Sequence, residues 1–150
     1  MKLYNQYNKN TCGPIALLNI LKLLGKDVSY KKSIVKLIHD CQCDYSKGTN
    51  QHKLQCAMTA NIIYFKIVVA LSLKRLKKQI SKGIILCYFK GHYFVLTAKN
   101  NQILGVNYYS HKTTTIMTDD MLQVIADSNG LNHITTWRIL NKETTHEQRQ

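Results

Sequence analysis

The sequence predicts an α+β domain in which the helices come mainly before an antiparallel sheet. An apolar segment from Ile15 to Leu24 is followed by Gly25, a common residue just after a helix, which indicates a buried helix of about three turns. Segments 84–89 and 92–96 are rich in β-branched and aromatic residues, as strands are. Because the chain has 150 residues and is 45% hydrophobic, we expect a single domain over 1–150, with 141–150 as a flexible polar tail.

Capping residues indicate the other helices. We expect Ser29, Ser72 and Thr118 to cap three of them, the first of these ending at His39, and a fourth short helix over 50–60. The core side of the helix after Ser29 is predicted to consist of Ile34, Val35, Leu37 and Ile38. In the short helix, Cys56 is predicted to face the core beside Ala57 and Met58.

Two polar residues stand at matching ends of a predicted hairpin. His92 opens one strand and Asn107 closes the next, with 99–102 as the turn. Because the start of a strand lies beside the end of its antiparallel partner, we expect His92 and Asn107 to be neighbours. Further strands are predicted over 62–69, 113–117 and 137–140, the last of them at an edge of the sheet.

Cys12 stands where a polar, Asn-rich segment meets the first helix. The free N–H groups and the positive end of the helix dipole favour a thiolate there, and Asn10 or Thr11 is the expected cap. With His92 as base and Asn107 as the group that orients it, Cys12 would complete a triad for nucleophilic catalysis. The plain alternative is that Cys12 is a small buried hydrophobic residue.

This order of residues resembles the papain-like cysteine peptidases, and most nearly the C39 family of bacteriocin-processing peptidase domains found at the N-termini of some ABC exporters. The resemblance covers roughly residues 4 to 140. The features that carry it are Gln6, Cys12-Gly13 at the mouth of an apolar helix, Gly48-Thr49 before a short helix, the helix start at Ser72, the His92 strand and the late helix at Thr118-Asp119-Asp120.

The resemblance implies a role for each site residue. Cys12 matches the nucleophile, His92 the general base, and Gln6 the side-chain donor of the oxyanion hole. Asn107 falls where the C39 family mostly has Asp followed by Pro, although papain-like enzymes more widely use Asn. Gly91 and Tyr93, which flank His92, are the predicted substrate-binding residues.

The resemblance also implies a papain-like fold, with a helical half carrying Cys12 packed on a sheet carrying His92, and a thiolate–imidazolium ion pair that attacks a peptide bond. The expected substrate has small residues such as Gly-Gly before the cleaved bond, and no cofactor is expected. Since no transporter sequence follows, we expect a free-standing peptidase. Two alternatives stay open: an acyltransferase or cell-wall peptidase with the same Cys/His layout, and an inactive fold that serves as a basic binding module.

The net charge is the most unusual feature of the amino-acid composition. Lys and Arg number 21 against 8 Asp and Glu, which gives a formal net charge of +13 and suggests a nucleic-acid or acidic partner. The basic residues are spread along the chain without interleaved aromatic residues, so we favour a solvated lysine-rich exterior, as in proteins encoded by AT-rich phages and low-GC bacteria. The densest cluster, 74–82, is predicted to be the outer face of a helix.

The five cysteines, an odd number, favour reduced thiols, and the absence of an apolar N-terminal run leads us to expect a cytoplasmic protein. A possible zinc site is suggested by the soft ligands His39, Cys41, Cys43, His52 and Cys56. Cys41 and Cys43 stand closer together than the two cysteines of common zinc knuckles, so we expect loop thiols and no metal.

Overall fold

The computed structural model describes residues 2–6, 9–44, 46–68, 72–128 and 134–140, so the predicted tail lies outside the described residues. Within these ranges the helices are α1 (Cys12–Leu23), α2 (Tyr30–Asp40), α3 (Gln51–Ala60), α4 (Leu73–Ser81) and α5 (Asp119–Ser128). The strands are β1 (Phe65–Val68), β2 (Ile84–Phe89), β3 (His92–Lys99), β4 (Gln102–Tyr109), β5 (Lys112–Ile116) and β6 (Ile134–Ile139). None of the helices in the described part of the chain has the length and hydrophobicity to cross a bilayer.

The strands form one antiparallel sheet in the order β1-β6-β2-β3-β4-β5. The prediction that the last strand lies at an edge is wrong, because β6 lies between β1 and β2. Trp137 and Thr136 of this strand are fully buried. Pairing between segments so far apart in sequence follows from packing of the whole chain, which local residue patterns do not reveal.

Helices cover both faces of the sheet. On one face α1, α2 and α3 pack on alternate strand residues that include Tyr93, Val95 and Trp137. On the other face α4 and α5 pack on the intervening residues, among them Phe94 and Leu96. Because successive side chains of a strand point to opposite faces, β3 contributes to both cores and is held firmly at the centre of the fold.

Most of the predicted helix starts are confirmed. The Ser29, Ser72 and Thr118 hydroxyls each accept a hydrogen bond of 3.2 Å from the backbone N–H three residues later. Asn50 caps α3 in the same way, accepting from Lys53 at 2.8 Å. Gly25 has a φ of +80°, as expected of the residue that ends α1.

Two predictions of helix burial are wrong. Val35 is 75% exposed, because α2 buries only the stripe that contains Ile34 and Leu37. Cys56 is exposed, since it lies roughly 200° around α3 from the buried Leu54. In each of these two helices, fewer side chains are buried than the number of apolar residues suggests. The first strand is also shorter than predicted, beginning at residue 65.

The predicted hairpin is confirmed, and it positions the candidate site. Lys99 pairs with Gln102, and Asn100 and Asn101 have φ values of 52° and 63°, as a tight two-residue turn requires. The register of β3 and β4 then runs back to Val95 opposite Val106. Beyond this pair, the start of β3 and the end of β4 meet at the N-terminal end of α1.

Candidate active site

Cys12 is the first residue of α1 and follows a short 3-10 helix, Lys9–Thr11. Thr11 occupies the N-cap position, as one of the two predicted caps, but its side chain makes no capping hydrogen bond. The helix starts close to the loop before α3, since a Cβ on Gly13 would lie 3.3 Å from Thr49 Cβ. Glycine after the cysteine therefore allows the N-terminus of α1 to approach this loop.

The start of β3 lies against the Cys12 thiol. The backbone N–H of Tyr93 donates to Cys12 Sγ at 3.5 Å, so the peptide that joins His92 to Tyr93 touches the sulfur. The Tyr93 hydroxyl donates to the Thr49 carbonyl at 2.9 Å, and the ring is only 2% exposed. The prediction of a substrate-binding Tyr93 therefore does not apply to its ring, because only its backbone faces the site.

Burial raises the pKa of the Cys12 thiol above its ordinary value, although the backbone N–H groups of Tyr93, Gly13 and Cys12 itself act in the opposite direction. The sequence led us to expect that the helix N-terminus would favour the thiolate. The N–H groups are present as expected, but the side chain is only 5% exposed, and its desolvation raises the pKa more than the N–H groups lower it. In this structure, burial therefore disfavours the thiolate form of Cys12.

The His92 ring is oriented by a hydrogen bond of 2.6 Å between its Nε2 and the backbone carbonyl of Asn107. Because a carbonyl oxygen only accepts, Nε2 carries the proton of this bond. The neutral imidazole then has its lone pair on Nδ1, which is the nitrogen able to take up a proton. The ring also stacks on Phe94, with a centroid separation of 6.0 Å and an interplanar angle of 25°.

Asn107 meets His92 through its backbone, whereas the sequence predicted that its side chain would orient the ring. Its φ of 58° lies within an irregularity of β4 between Val106 and Tyr109, where the chain turns its carbonyl towards His92. The side-chain Nδ2 donates to the Tyr4 carbonyl at 2.9 Å instead. Its Oδ1 is buried and has no hydrogen-bond partner among the described residues.

Gln6 has a buried side chain, 5% exposed, and neither its Oε1 nor its Nε2 has a hydrogen-bond partner within the described part of the chain. An unsatisfied buried amide costs roughly 1–3 kcal/mol, so proteins seldom retain one without a use for it. Gln6 also lines a cleft together with His92. A ligand in that cleft would supply the missing partner.

The cleft has a volume of about 510 Å³. Its lining residues are Gln6, Asn10, Lys90, Gly91, His92, Tyr108, Tyr109, Ser110 and His111. Gly91 has a φ of 77° in the turn between β2 and β3, and a Cβ built on it would have no heavy atom within 4 Å, so the rim beside His92 is open. The tyrosines and His111 were not among the predicted substrate-binding residues; their only sequence signal is their position just after Asn107.

The five suggested metal ligands are spread over different environments. Cys41 is fully buried, and this burial raises its pKa to about 12. Cys43 donates to the Asn10 carbonyl at 3.1 Å, whereas Cys56 Sγ lies 3.8 Å from His52 Nε2 at the surface. Over the residues that the structure describes, no three or more His, Cys, Asp or Glu side chains are grouped to hold a metal ion. All five cysteines are free thiols.

Several solved structures are similar to this chain. The peptidase domain of Streptococcus ComA, a bi-functional ABC transporter of a quorum-sensing pathway, has a TM-score of 0.65 at 19% identity, covering 90% of this chain and 95% of that one. A double-glycine-motif protease from an AMS/PCAT transporter, in complex with a leader peptide, has a TM-score of 0.67 at 17% identity, with coverages of 92% and 91%. The ComA peptidase domain of Streptococcus mutans, solved with a small-molecule inhibitor, has a TM-score of 0.55 at 15% identity, with coverages of 91% and 97%.

These matches show that the chain has the fold of the double-glycine, or C39, peptidase domains. The predicted α+β class and the predicted likeness in fold are thereby confirmed. Neither a comparison with protein-family models nor one with curated protein sequences finds a match.

The protonation state of Cys12 is open to a direct test by iodoacetamide alkylation, followed by mass spectrometry at a series of pH values. Because burial raises the pKa of this thiol, we expect the thiolate fraction to be small at neutral pH. The alkylation rate of Cys12 is therefore expected to keep rising through the alkaline range. Exposed Cys56 of the same molecule serves as the reference thiol. A rate plateau at acidic pH that disappears in His92→Ala would instead demonstrate a preformed ion pair.

Proposed function

We propose that this protein is a cysteine peptidase in which Cys12 is the nucleophile and His92 the general base. The observation that carries the proposal is the hydrogen bond from the Tyr93 N–H to Cys12 Sγ, because it brings the thiol against the residue next to His92. The oriented His92 ring and the unpartnered Gln6 amide support the same conclusion. A cysteine that was only a core residue would account neither for the oriented His92 ring nor for the unpartnered Gln6 amide.

The proposed reaction begins from the neutral thiol. His92 Nδ1 takes the proton of Cys12 while the sulfur attacks the carbonyl carbon of the substrate, and Nε2–H holds the ring against the Asn107 carbonyl. The negative charge that develops on the substrate oxygen accepts hydrogen bonds from the Gln6 side-chain amide and the Cys12 backbone N–H. His92 then protonates the leaving amine, which departs and leaves an acyl-enzyme.

Hydrolysis of the acyl-enzyme completes the cycle. A water molecule gives a proton to His92 Nδ1 and attacks the thioester carbon, and the same two donors bind the second oxyanion. Collapse of this intermediate releases the carboxylic acid, and the thiolate recovers its proton from His92. Formation of a neutral thiol at the end suits the raised pKa of Cys12.

The proposed substrates are peptides with small residues such as Gly-Gly before the cleaved bond. Support comes from the shared fold and from the similar transporter protease, which was solved with a leader peptide. Gly91 at the rim of the cleft is the proposed contact for the substrate backbone on the His92 side, since it has no side chain to obstruct a peptide.

A second candidate function is binding of nucleic acid or an acidic protein through the basic surface. The observation in its favour is that all the basic residues of the 74–82 cluster are exposed, namely Lys74, Arg75, Lys77, Lys78 and Lys82. Lys77 forms a surface ion pair with Asp119 at 2.8 Å. Retention on nucleic acid that weakens steeply with salt and is unchanged in Cys12→Ala would favour this function.

Peptide cleavage tests the proposed function. Cys12→Ala removes the nucleophile and His92→Ala removes the base, so both variants are expected to fall to background with Gly-Gly-containing peptides, measured by mass spectrometry of the products. Cys56→Ala is the matched control, since it removes another thiol that lies near a histidine, and it should retain full activity. Cleavage by Cys12→Ala at the wild-type rate would refute the proposal.

Gln6→Met tests the oxyanion donor. Methionine has a similar unbranched shape without the two unsatisfied polar atoms, so this variant should gain roughly 1–3 kcal/mol in the free energy of unfolding. The same change should lower turnover by roughly 10²-fold to 10³-fold, because one oxyanion donor is lost. Urea denaturation and peptide kinetics measure the two effects. A variant with unchanged turnover would remove Gln6 from the site, whatever its stability.

Substitutions at Asn107 separate the role of its backbone from that of its side chain. Asn107→Gly keeps the carbonyl that orients His92 and suits the φ of 58°, so it should lose much less activity than His92→Ala. Asn107→Ala should be less stable than Asn107→Gly by about 1 kcal/mol, because alanine is strained at positive φ. The comparison is made by peptide kinetics and urea denaturation.

Asn107→Asp is the sharpest member of this series. It places a carboxylate oxygen where Nδ2 now donates to the Tyr4 carbonyl, and the two oxygens repel. We therefore expect lower activity than in Asn107→Gly. If Asn107→Asp keeps the wild-type rate and shifts the alkaline limb of the pH–rate profile upward, the side chain orients His92 after all.

A further inference from the structure

Asn19 is a fully buried amide in the middle of α1, a helix whose other buried positions are almost all apolar. Its Oδ1 accepts from the Tyr4 N–H at 2.8 Å, and its Nδ2 donates to the Tyr4 carbonyl at 2.9 Å. A backbone N–H only donates and a carbonyl only accepts, so these two bonds fix the orientation of the amide. One side chain thus satisfies both backbone groups of Tyr4.

The Tyr4 carbonyl is shared with a second buried amide. Asn107 Nδ2 donates to it at 2.9 Å from β4, opposite the donor on α1. The backbone carbonyl of Asn107 is in turn the acceptor for His92 Nε2. A continuous series of hydrogen bonds therefore runs from Asn19 through Tyr4 and Asn107 to the His92 ring.

The two hydrogen bonds between Asn19 and Tyr4, called here the Tyr4 anchor, also fix two other parts of the candidate site. Gln6 follows Tyr4 by two residues, on a segment that runs alongside α1 without being part of a helix or strand. Asn19 follows Cys12 by seven residues, which is about two helical turns, so both side chains lie on the same side of α1. Anchoring Tyr4 to Asn19 therefore sets the position of Gln6 relative to the helix that begins at Cys12.

We propose that Asn19 is a positioning residue for catalysis, which acts through Tyr4 on the Gln6 oxyanion donor and on the carbonyl that orients His92. The proposal rests on the proposed peptidase function. Asn19 does not touch the substrate. Its effect arises because hydrogen-bond donors to an oxyanion lose much of their value when they are displaced by a fraction of an ångström to an ångström.

Asn19→Leu is the principal test. Leucine has a similar volume and suits an apolar helix, but it cannot bond to Tyr4. We expect kcat to fall by about 10-fold to 10²-fold with little change in KM. Ile125→Val is the matched control, because it removes a methylene from the core on the opposite face of the sheet and should leave kcat unchanged. Asn19→Ser, which replaces the separate amide acceptor and donor with a single hydroxyl on a shorter side chain, replaces Asn19→Leu if that variant does not fold.

A double-mutant cycle separates positioning from a general loss of stability. If Asn19 acts through Gln6, then Asn19→Leu should cost much less in a Gln6→Met background than in the wild type. Equal fold-losses in the two backgrounds would show that Asn19 acts independently of the oxyanion donor, which would overturn the part of the proposal that concerns Gln6.

Hydrogen exchange tests the anchor without reference to activity. In the wild type, the Tyr4 N–H should exchange slowly, and Asn19→Leu should speed its exchange while leaving α5 unaffected. Unchanged exchange at Tyr4 would overturn the proposal even if the enzyme were active. The wild type could instead cleave no peptide while the exchange of the Tyr4 N–H still responds as expected. That result would support the hydrogen bonds between Asn19 and Tyr4, but it would refute the peptidase function and the positioning role of Asn19 in catalysis.

Discussion

Tyr93 contacts both the N-terminal end of α1 and the loop that lies beside it. Its backbone N–H reaches Cys12 Sγ, and its hydroxyl reaches the Thr49 carbonyl in the loop that approaches Gly13. Because β3 is buried on both faces, this residue has little freedom to move. The position of His92 relative to the thiol is thus set by the central strand of the sheet, and the remaining parts of the site are arranged around that contact.

The site retains one feature that opposes stability and one that opposes ionisation of the nucleophile. The Gln6 amide is buried without a partner in the described residues, and the Cys12 thiol is held where burial disfavours its charged form. A core designed for stability alone would place an apolar side chain at position 6. Under the proposed function both features have the same origin, because a site that excludes water strengthens the hydrogen bonds to an oxyanion when the charge develops.

The hairpin and the start of α1 could be predicted from the sequence because each depends on a local residue pattern. The Asn100-Asn101 turn sets the register of β3 and β4, and that register brings His92 to Asn107. The position of β6 in the sheet could not be predicted, since the strands that it pairs with lie some fifty to seventy residues earlier in the chain. The hydrogen bonds of Asn19 could not be predicted either, because a polar residue on an apolar helix gives no indication of which backbone groups it contacts.

Asn107 shows why two residues can be predicted correctly to be neighbours while the atoms that join them are misassigned. The expected orienting group was a side-chain oxygen, but the irregularity in β4 turns the backbone carbonyl towards His92 instead. A carbonyl is present whatever the residue, so the requirement at this position is a conformation with positive φ, which Asn adopts more readily than most residues. The second requirement is an N–H donor for Tyr4, which Asn has and Asp lacks. The backbone of Asn107 therefore orients His92 while its side chain bonds to Tyr4, so one residue meets two separate requirements.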